Sequence, residues 1–459
     1  MSPANHPLKV GMLGCGVVGS QVARLLIENK ADLSSRSGAE LTLVKVGVRD
    51  PKAKKYGIKD ELLTSDLKSI VNDPEINLII EVLGGIEPAR ELILTALKNG
   101  KSVVTANKAL LAKHGAELYA AADSANVDLY YEAAVAGAIP ILRPLRESLV
   151  GDHVVQVMGI VNGTTNYILT KMDENGAPFK DALAEAQKLG FAEADPTADV
   201  EGMDAAAKAA ILASLAFHSR VTDADVYREG ISKITATDVK VAKAMDLVIK
   251  LLAIADVTED GAIAVRVHPA LISRNHPLAS VRDSFNAVFV QSQAAGQMMF
   301  YGRGAGGEPT ASAILGDLVA VARHKVSGGI GPRESDYADR KIAKIGESKT
   351  RYLIRLNVAD KPGVLESVAH VFASHQVSIQ TVRQSGAGDK AELIVMTHIS
   401  SESALSATVD ELSKLDSVTD VASVLRVEGE IYEVWEYLVR NLVHINGVEL
   451  LKSIVIVYQ

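Results

Sequence analysis

At 459 residues the chain is too long for one compact core, so two or three domains are expected. Its composition, 48% hydrophobic, 23% charged and 4% aromatic, is that of a globular protein. The net charge of −8, with no long basic run, argues against a general nucleic-acid binder. No apolar stretch is long enough to span a bilayer, and the first residues lack the charged-then-apolar pattern of a secretory signal. The single cysteine, Cys15, forms no intrachain disulfide. A reducing, cytoplasmic setting without nucleic-acid or membrane partners is therefore expected.

Leu8–Leu13 reads as a short buried strand running into Gly14-Cys-Gly16-Val17-Val18-Gly19 and then a helix over Ser20–Ile27. A GxGxxG run alone is weak; between a strand and a helix it predicts a dinucleotide site. Gly14 permits the tight turn, Gly16 lets a pyrophosphate approach the backbone, and Gly19 allows close helix–strand packing. The helix start, with the free N–H groups around Val17 and Val18, then faces the phosphates. A second strand, Leu41–Val48, ends at Arg49-Asp50. An arginine there pairs with the 2′-phosphate of NADP, whereas an acidic residue binds the ribose hydroxyls of NAD. Arg49 comes first, so NADP is preferred, with NAD left open by Asp50.

Strands at Ile76–Leu83 and Ser102–Thr105 continue the βα alternation, and Ala106-Asn107-Lys108 follows the second. Ligands of open α/β sheets bind beyond the carboxyl ends of the strands, which is where Lys108 falls. Val127–Glu132 leads into a small-residue run through Val135, Gly137, Ile139 and Pro140. A carboxylate beside closely spaced turn carbonyls suits a monovalent or hard divalent cation, although a plain domain-crossing loop reads equally well.

From about residue 145 the pattern shifts to longer helices mixed with strands, an α+β arrangement. Gln156–Val161 is a strand followed by Asn162-Gly-Thr-Thr-Asn166, a polar turn with helix-capping residues that either closes over a ligand or merely connects. An amphipathic helix over 179–190 delivers the chain to Glu193-Ala-Asp-Pro-Thr-Ala-Asp199-Val-Glu-Gly-Met-Asp204-Ala-Ala-Ala-Lys208. Asp204 and Lys208 are four apart and share one helix face. Residues 205–217 are almost wholly apolar, so that face is buried, and buried Lys and Asp need a partner and a reason. A partly buried lysine beside carboxylates is a proton donor or acceptor for a small polar substrate. Later, Gly302 to Gly307 forms a second glycine-rich loop at a helix start, another place for backbone to approach the cofactor.

Residues 327–349 read as a polar, glycine-containing linker. Beyond it come a strand (351–358), an Asp360-Lys-Pro-Gly363 turn, a helix (364–374), strands at 377–383 and 391–398, a helix (402–414) and a last strand (421–427). That βαββαβ order predicts a split-βαβ sandwich.

Together these features resemble homoserine dehydrogenase of the monofunctional type with a C-terminal ACT domain, over about residues 8–427. The motifs that carry the likeness are Thr105–Lys108, Gly159–Asn166, Gly190–Pro196 and Asp204–Lys208. The implied fold is α/β: a Rossmann-type dinucleotide-binding domain (1–142), an α+β substrate and dimerisation domain (143–326), the linker, and a ferredoxin-like ACT domain (350–428). Residues 429–459 lie beyond the pattern, as an added helix and strand or a tail. The implied reaction is the reversible NAD(P)-dependent interconversion of L-homoserine and L-aspartate 4-semialdehyde, in threonine and methionine biosynthesis. The resemblance puts the substrate carboxylates on Glu193, Asp199 and Asp204, the catalytic lysine on Lys208 and a second active-site lysine on Lys108. It puts a sodium (Na+) site on Glu132, Val135, Gly137 and Ile139, and a cofactor contact of the late loop on Gly306. It also implies L-threonine as effector of the ACT domain and a homodimer or homotetramer. No kinase-like segment precedes the cofactor domain, so the fused bifunctional form is not expected.

Two other readings compete. One is an oxidoreductase acting on a related small amino-acid aldehyde; an acylating type would need a nucleophilic cysteine, and Cys15 sits in the phosphate loop. The other is a non-catalytic NAD(P)- and amino-acid-sensing regulator, which would have no use for Asp204, Lys208 and Lys108.

Overall fold

The computed structural model describes residues 7–52, 58–333, 338–386 and 391–429. Apart from Gly429, the C-terminal extension therefore lies outside the described residues.

The first unit alternates strand and helix: β1 (Pro7–Leu13), α1 (Val17–Glu28), α2 (Lys30–Ser37), β2 (Glu40–Gly47), β3 (Leu63–Thr64), α3 (Leu67–Val71), β4 (Leu78–Glu81), α4 (Ala89–Lys98), β5 (Ser102–Thr105), α5 (Lys108–Ala125) and β6 (Leu129–Tyr130). All strands pair in parallel, in the order β3-β2-β1-β4-β5-β6. Val10, Met12, Leu13, Ile79 and Ile80 are fully buried, because helices cover both faces of a parallel sheet. The strand order reverses between β1 and β4, which opens a crevice at their carboxyl ends.

The second unit comprises β7 (Val154–Ile160), α6 (Gly163–Asn175), α7 (Phe179–Lys188), α8 (Thr197–Val200), α9 (Met203–Phe217), β8 (Tyr227–Arg228), α10 (Ala236–Ala244), β9 (Leu247–Val257), β10 (Ile263–Ser273), β11 (Phe285–Ser292), β12 (Gly296–Arg303) and α11 (Gly307–Ser327). Every residue of α9 except Met203, Asp204 and Ser214 is buried, so this helix is the apolar centre on which the sheet rests. Each fully buried Leu or Ile there contributes about 1.5–3 kcal/mol. Helix α11 closes the second unit in sequence but packs on the first: Ala311, Ile314, Leu318 and Val321 join Val10 and Leu41 in one core.

The last unit is β13 (Lys349–Val358), α12 (Val364–Ser374), β14 (Ile379–Ser385), β15 (Ala391–Thr397), β16 (Ser400–Ser401), α13 (Glu402–Leu412) and β17 (Val418–Val427). Its strands run β17-β13-β15-β14, the split-βαβ pattern. It is not a free-standing sandwich, however. Strand β17 pairs in parallel with β10 at Ala270↔Arg426 and Leu271↔Val427, fusing the two sheets into one of eleven strands. Buried charges reinforce the seam: Arg266, 3% exposed, pairs with Glu428 at 3.2 Å and with Asp256 at 2.9 Å. The described part of the linker is also anchored, since Ile342 bridges to Ile263 and Ala343 is buried. No helix among the described residues is long and apolar enough to cross a membrane.

Candidate active site

The glycine loop joins β1 to α1 as its spacing predicts. Gly14 has φ +102°, and a Cβ there would lie 2.7 Å from the Val82 carbonyl; one on Gly19 would lie 2.5 Å from the Gly14 carbonyl. At Gly16 a Cβ would meet nothing within 4 Å, which is the open approach a pyrophosphate requires. Helix α1 starts without a side-chain cap, and Val17 at its start is 77% exposed. Helix α11 also starts uncapped, from Gly306 at φ +118°, and Gly307 packs so close to Val17 that a Cβ would lie 3.0 Å from its carbonyl. Two uncapped helix starts thus converge on one loop, doubling the N–H groups and positive dipole ends offered to phosphates. These residues fit a dinucleotide. Arg49 and Asp50 are both exposed just past β2, and Asp50 accepts the Lys52 N–H at 3.0 Å.

A cleft of about 280 Å³ leads from this loop, past Val18, Gly84 and Gly304, to Lys108 and Lys208. Lys108 is the first residue of α5. Its place is set by Asn107, which caps the helix through Leu110 N at 3.2 Å and donates to the Gly85 carbonyl at 2.7 Å. Behind it, buried Glu81 accepts the Thr105 hydroxyl at 2.6 Å and Leu83 N at 2.8 Å. Burial pushes the Glu81 carboxyl above the usual range, partly offset by those bonds.

Lys208 and Asp204 are one turn apart on α9 and pair at 2.7 Å; Lys108 reaches the other oxygen of the same carboxylate at 2.5 Å. The side chains of Asp204 and Lys208 are 8% and 9% exposed, and that of Lys108 is 43% exposed. Lys208 also donates to the Val161 carbonyl at 2.6 Å. Burial would raise the Asp204 pKa, but the two lysines outweigh it and hold the carboxyl well below its ordinary value. Burial, with the charge of Lys108, pulls the Lys208 pKa down despite Asp204. For Lys108 burial also acts downward, but Asp204, Asp199 and Glu193 outweigh it and the pKa is raised.

Asn162 completes the cluster. Its Oδ1 caps α6 through Thr165 N at 2.9 Å, while its Nδ2 donates to Asp199 at 2.7 Å and to Asp204 at 2.9 Å. Thr164 donates to the other Asp199 oxygen at 3.1 Å. The polar turn after β7 is therefore a helix start that binds two carboxylates. Sequence reasoning saw the cap and missed its second task, along with the supporting roles of Asn107 and Glu81. The fold brings Lys108, Asp199, Asp204 and Lys208 together. Glu193 is exposed and reaches the cluster through its charge on Lys108.

The run 132–140 departs from the expected carboxylate ligand. The Glu132 side chain is spent on three backbone N–H groups, those of Ile141, Leu142 and Arg143, at 2.6, 2.7 and 2.8 Å. Its carbonyl accepts one long bond, from Val135 N at 3.4 Å, and keeps a second lone pair for a cation. Ala136 and Gly137 follow at φ +56° and +57°, and no backbone N–H of a described residue donates to the carbonyls of Val135, Gly137 or Ile139. Those free carbonyls suit a hard monovalent ion.

A dinucleotide-type crevice that opens onto a buried Lys208–Asp204 pair, joined by half-exposed Lys108, is the arrangement of an oxidoreductase. Comparison with known proteins narrows the class. Residues 14–132 match the family model described as "Homoserine dehydrogenase, NAD binding domain", residues 140–319 "Homoserine dehydrogenase", and residues 352–417 "ACT domain". The homoserine dehydrogenase of Mycobacterium bovis is 55% identical over 433 residues, covering 92% of this chain and 98% of the relative. The crystal structure of a homoserine dehydrogenase from Thiobacillus denitrificans superposes with a TM-score of 0.88 at 41% identity, covering 92% and 98% of the two chains. A hyperthermophilic archaeal homoserine dehydrogenase in complex with NADPH aligns with a TM-score of 0.59 at 28% identity, over 69% of this chain and 97% of that one. The chain belongs to the homoserine dehydrogenase family.

Proposed function

We propose that the chain carries out its family's reaction, the reversible NAD(P)H-dependent reduction of L-aspartate 4-semialdehyde to L-homoserine, with Lys208 as proton donor. The observation that carries this reading is the shared Asp204 carboxylate between Lys108 and Lys208 at the inner end of the cofactor cleft. A bound reduced nicotinamide supplies hydride to the aldehyde carbon, and negative charge builds on the aldehyde oxygen. Lys208, buried and lowered in pKa, is the better-matched acid for that oxygen. Lys108 stays charged, stabilises the developing oxyanion and holds the substrate carboxylate. Asp204 orients both lysines, and Asp199 with Glu193 receives the substrate ammonium. Gly14, Gly16, Val17, Val18, Gly19 and Gly306 hold the pyrophosphate, and exposed Arg49 favours NADP, in keeping with the NADPH of the archaeal relative.

Sodium fits the carbonyls of Glu132, Val135, Gly137 and Ile139, where it would brace the loop that packs on Gly304. The ACT unit offers the Asp360–Gly363 turn for L-threonine. The exposed edge strand β12, with Met299 and Tyr301 at the surface, supports a homodimer or homotetramer. The protein's charge and single cysteine suit the cytoplasm. The deciding experiment is NADPH oxidation with L-aspartate 4-semialdehyde, wild type beside Lys208→Ala. Turnover in the first and its near loss in the second, with NADPH binding intact, is the expected result. No turnover in the wild type, with cofactor still bound, would return the sensor reading.

A further inference from the structure

One buried side chain beside the active site leaves its whole hydrogen-bonding capacity unused. Asn286, on β11, is 1% exposed, and neither its Nδ2 nor its Oδ1 has a hydrogen-bond partner among the described residues. It shares a strand face with Val288 and Val290, which are fully buried in the apolar core that includes α9. An amide in that position, with donor and acceptor both bare, is unfavourable and calls for partners. It lies directly behind the second glycine-rich loop: a Cβ on Gly304 would sit 2.0 Å from its Nδ2 and 2.4 Å from its Oδ1. The same oxygen is 3.6 Å from where a Cβ on Gly163 would lie, in the turn whose Asn162 holds Asp199 and Asp204. The loop carries the complementary groups. Among the described residues, the N–H groups of Gly304, Ala305 and Gly306 donate to no backbone carbonyl, and the Gly304 carbonyl accepts from no backbone N–H. Gly304 lines the cofactor cleft, and Gly306 is the residue from which α11 turns its free N–H groups to the phosphates.

We propose that Asn286 is a positioning residue for the dinucleotide, whose amide latches the backbone of the 304–306 loop in the cofactor-bound enzyme and stands unlatched in the free one. The proposal deepens the dinucleotide reading of this cleft and rests on it. Three unused donors and a carbonyl already press against an unused amide, so a small shift of the loop suffices to pair them. Gly304 must be glycine for the amide to stand this close. A leucine at 286, nearly equal in volume, would fill the space and could not bond. The free protein is destabilised by a bare buried amide and the bound one is not, so Asn286 adds to cofactor affinity rather than to resting stability.

The test is NADPH and NADH binding by the full chain, read from nicotinamide fluorescence, with melting temperatures taken with and without cofactor. Asn286→Leu and Asn286→Ala are compared with the wild type and with Val288→Ala, which thins the same strand face without removing a polar group. Each Asn286 variant is expected to bind the preferred cofactor about tenfold more weakly, the loss of one or two hydrogen bonds. The melting temperature of cofactor-free Asn286→Leu should hold or rise, while the increase that the cofactor gives the wild type should shrink. In turnover the loss should fall on the KM for the cofactor, about tenfold, more than on kcat. Val288→Ala should melt lower and bind the cofactor as the wild type does. Wild-type affinity in both Asn286 variants, or a loss no greater than that in Val288→Ala, would overturn the latch and leave the dinucleotide site standing. A wild type that binds neither cofactor would overturn both.

Discussion

Lys208 Nζ lies 2.7 Å from Asp204 one helical turn below it, and the same carboxylate holds Lys108, from the far domain, at 2.5 Å. One anion thus sets the charge of two cations that differ in burial. Asp204 opposes the burial that lowers Lys208 and drives the rise of Lys108. Replacing it by Asn should let both lysine pKa values fall. With Lys208 as the proposed proton donor, the reductive step needs it protonated, and activity falls as pH rises through its pKa. The alkaline limb of kcat should therefore move to lower pH in Asp204→Asn, with kcat at its optimum reduced about 100-fold. A pH–rate profile with an unmoved alkaline limb would refute this coupling.

The two lysines should separate kinetically. Lys208→Met removes the proposed proton donor and should cut kcat about 100- to 10,000-fold with little change in KM. Lys108→Met should raise the KM for L-aspartate 4-semialdehyde as well as lower kcat, since it lines the cleft half-exposed. Equal losses confined to kcat would mean that both act only in the proton transfer.

In the phosphate loop, two glycines have opposite reasons to be glycine. Gly16→Val adds a side chain into open space where the pyrophosphate must approach, so the KM for NADPH should rise about tenfold while the melting temperature holds. Gly19→Ala places a methyl against the Gly14 carbonyl and should destabilise the fold by about 1–3 kcal/mol. Thermal unfolding of the two variants, with NADPH titrations, distinguishes them.

Arg49 and Asp50 both stand exposed past β2, and the proposed NADP preference rests on the first of them. Arg49→Ala should lower the ratio of kcat/KM for NADPH over NADH about tenfold. An unchanged ratio would assign the 2′-phosphate to another group.

The elements that announce themselves in the sequence are those with local causes. The glycine loop between β1 and α1, the Asp204–Lys208 spacing and the βαββαβ order follow from backbone freedom, helical periodicity and turn chemistry within a few residues. What stayed hidden depends on partners far along the chain. Asn162 meets carboxylates 37 and 42 residues away, and Glu132 turns its carboxylate to 141–143 rather than to a cation. Likewise α11 returns to the first domain, and β17 joins β10, because an apolar face and an open strand edge must be covered wherever the chain permits.

That last junction ties the ACT unit to the rest through strand pairing and buried charge. Glu428, which follows β17, lies against Arg266 and His268 of β10. Burial would raise its carboxyl, but Arg266 and His268 hold it down to about 2 from an ordinary 4.5. A carboxylate depressed on folding stabilises above its unfolded pKa and loses that contribution as pH falls through the folded value. Between about pH 5 and pH 2 the wild type should lose on the order of 3 kcal/mol through this group. Glu428→Gln should be less stable at neutral pH by about 3–5 kcal/mol, because Arg266 keeps only Asp256, and its stability should depend less on acid. Truncation near residue 345 removes the same partner and uncovers the β10 edge, so it should lower the melting temperature before it informs on regulation. Denaturant titrations of wild type and Glu428→Gln from pH 2 to 7 check this; parallel curves would show that the seam is held by strand pairing and packing, with the ion pair contributing nothing net.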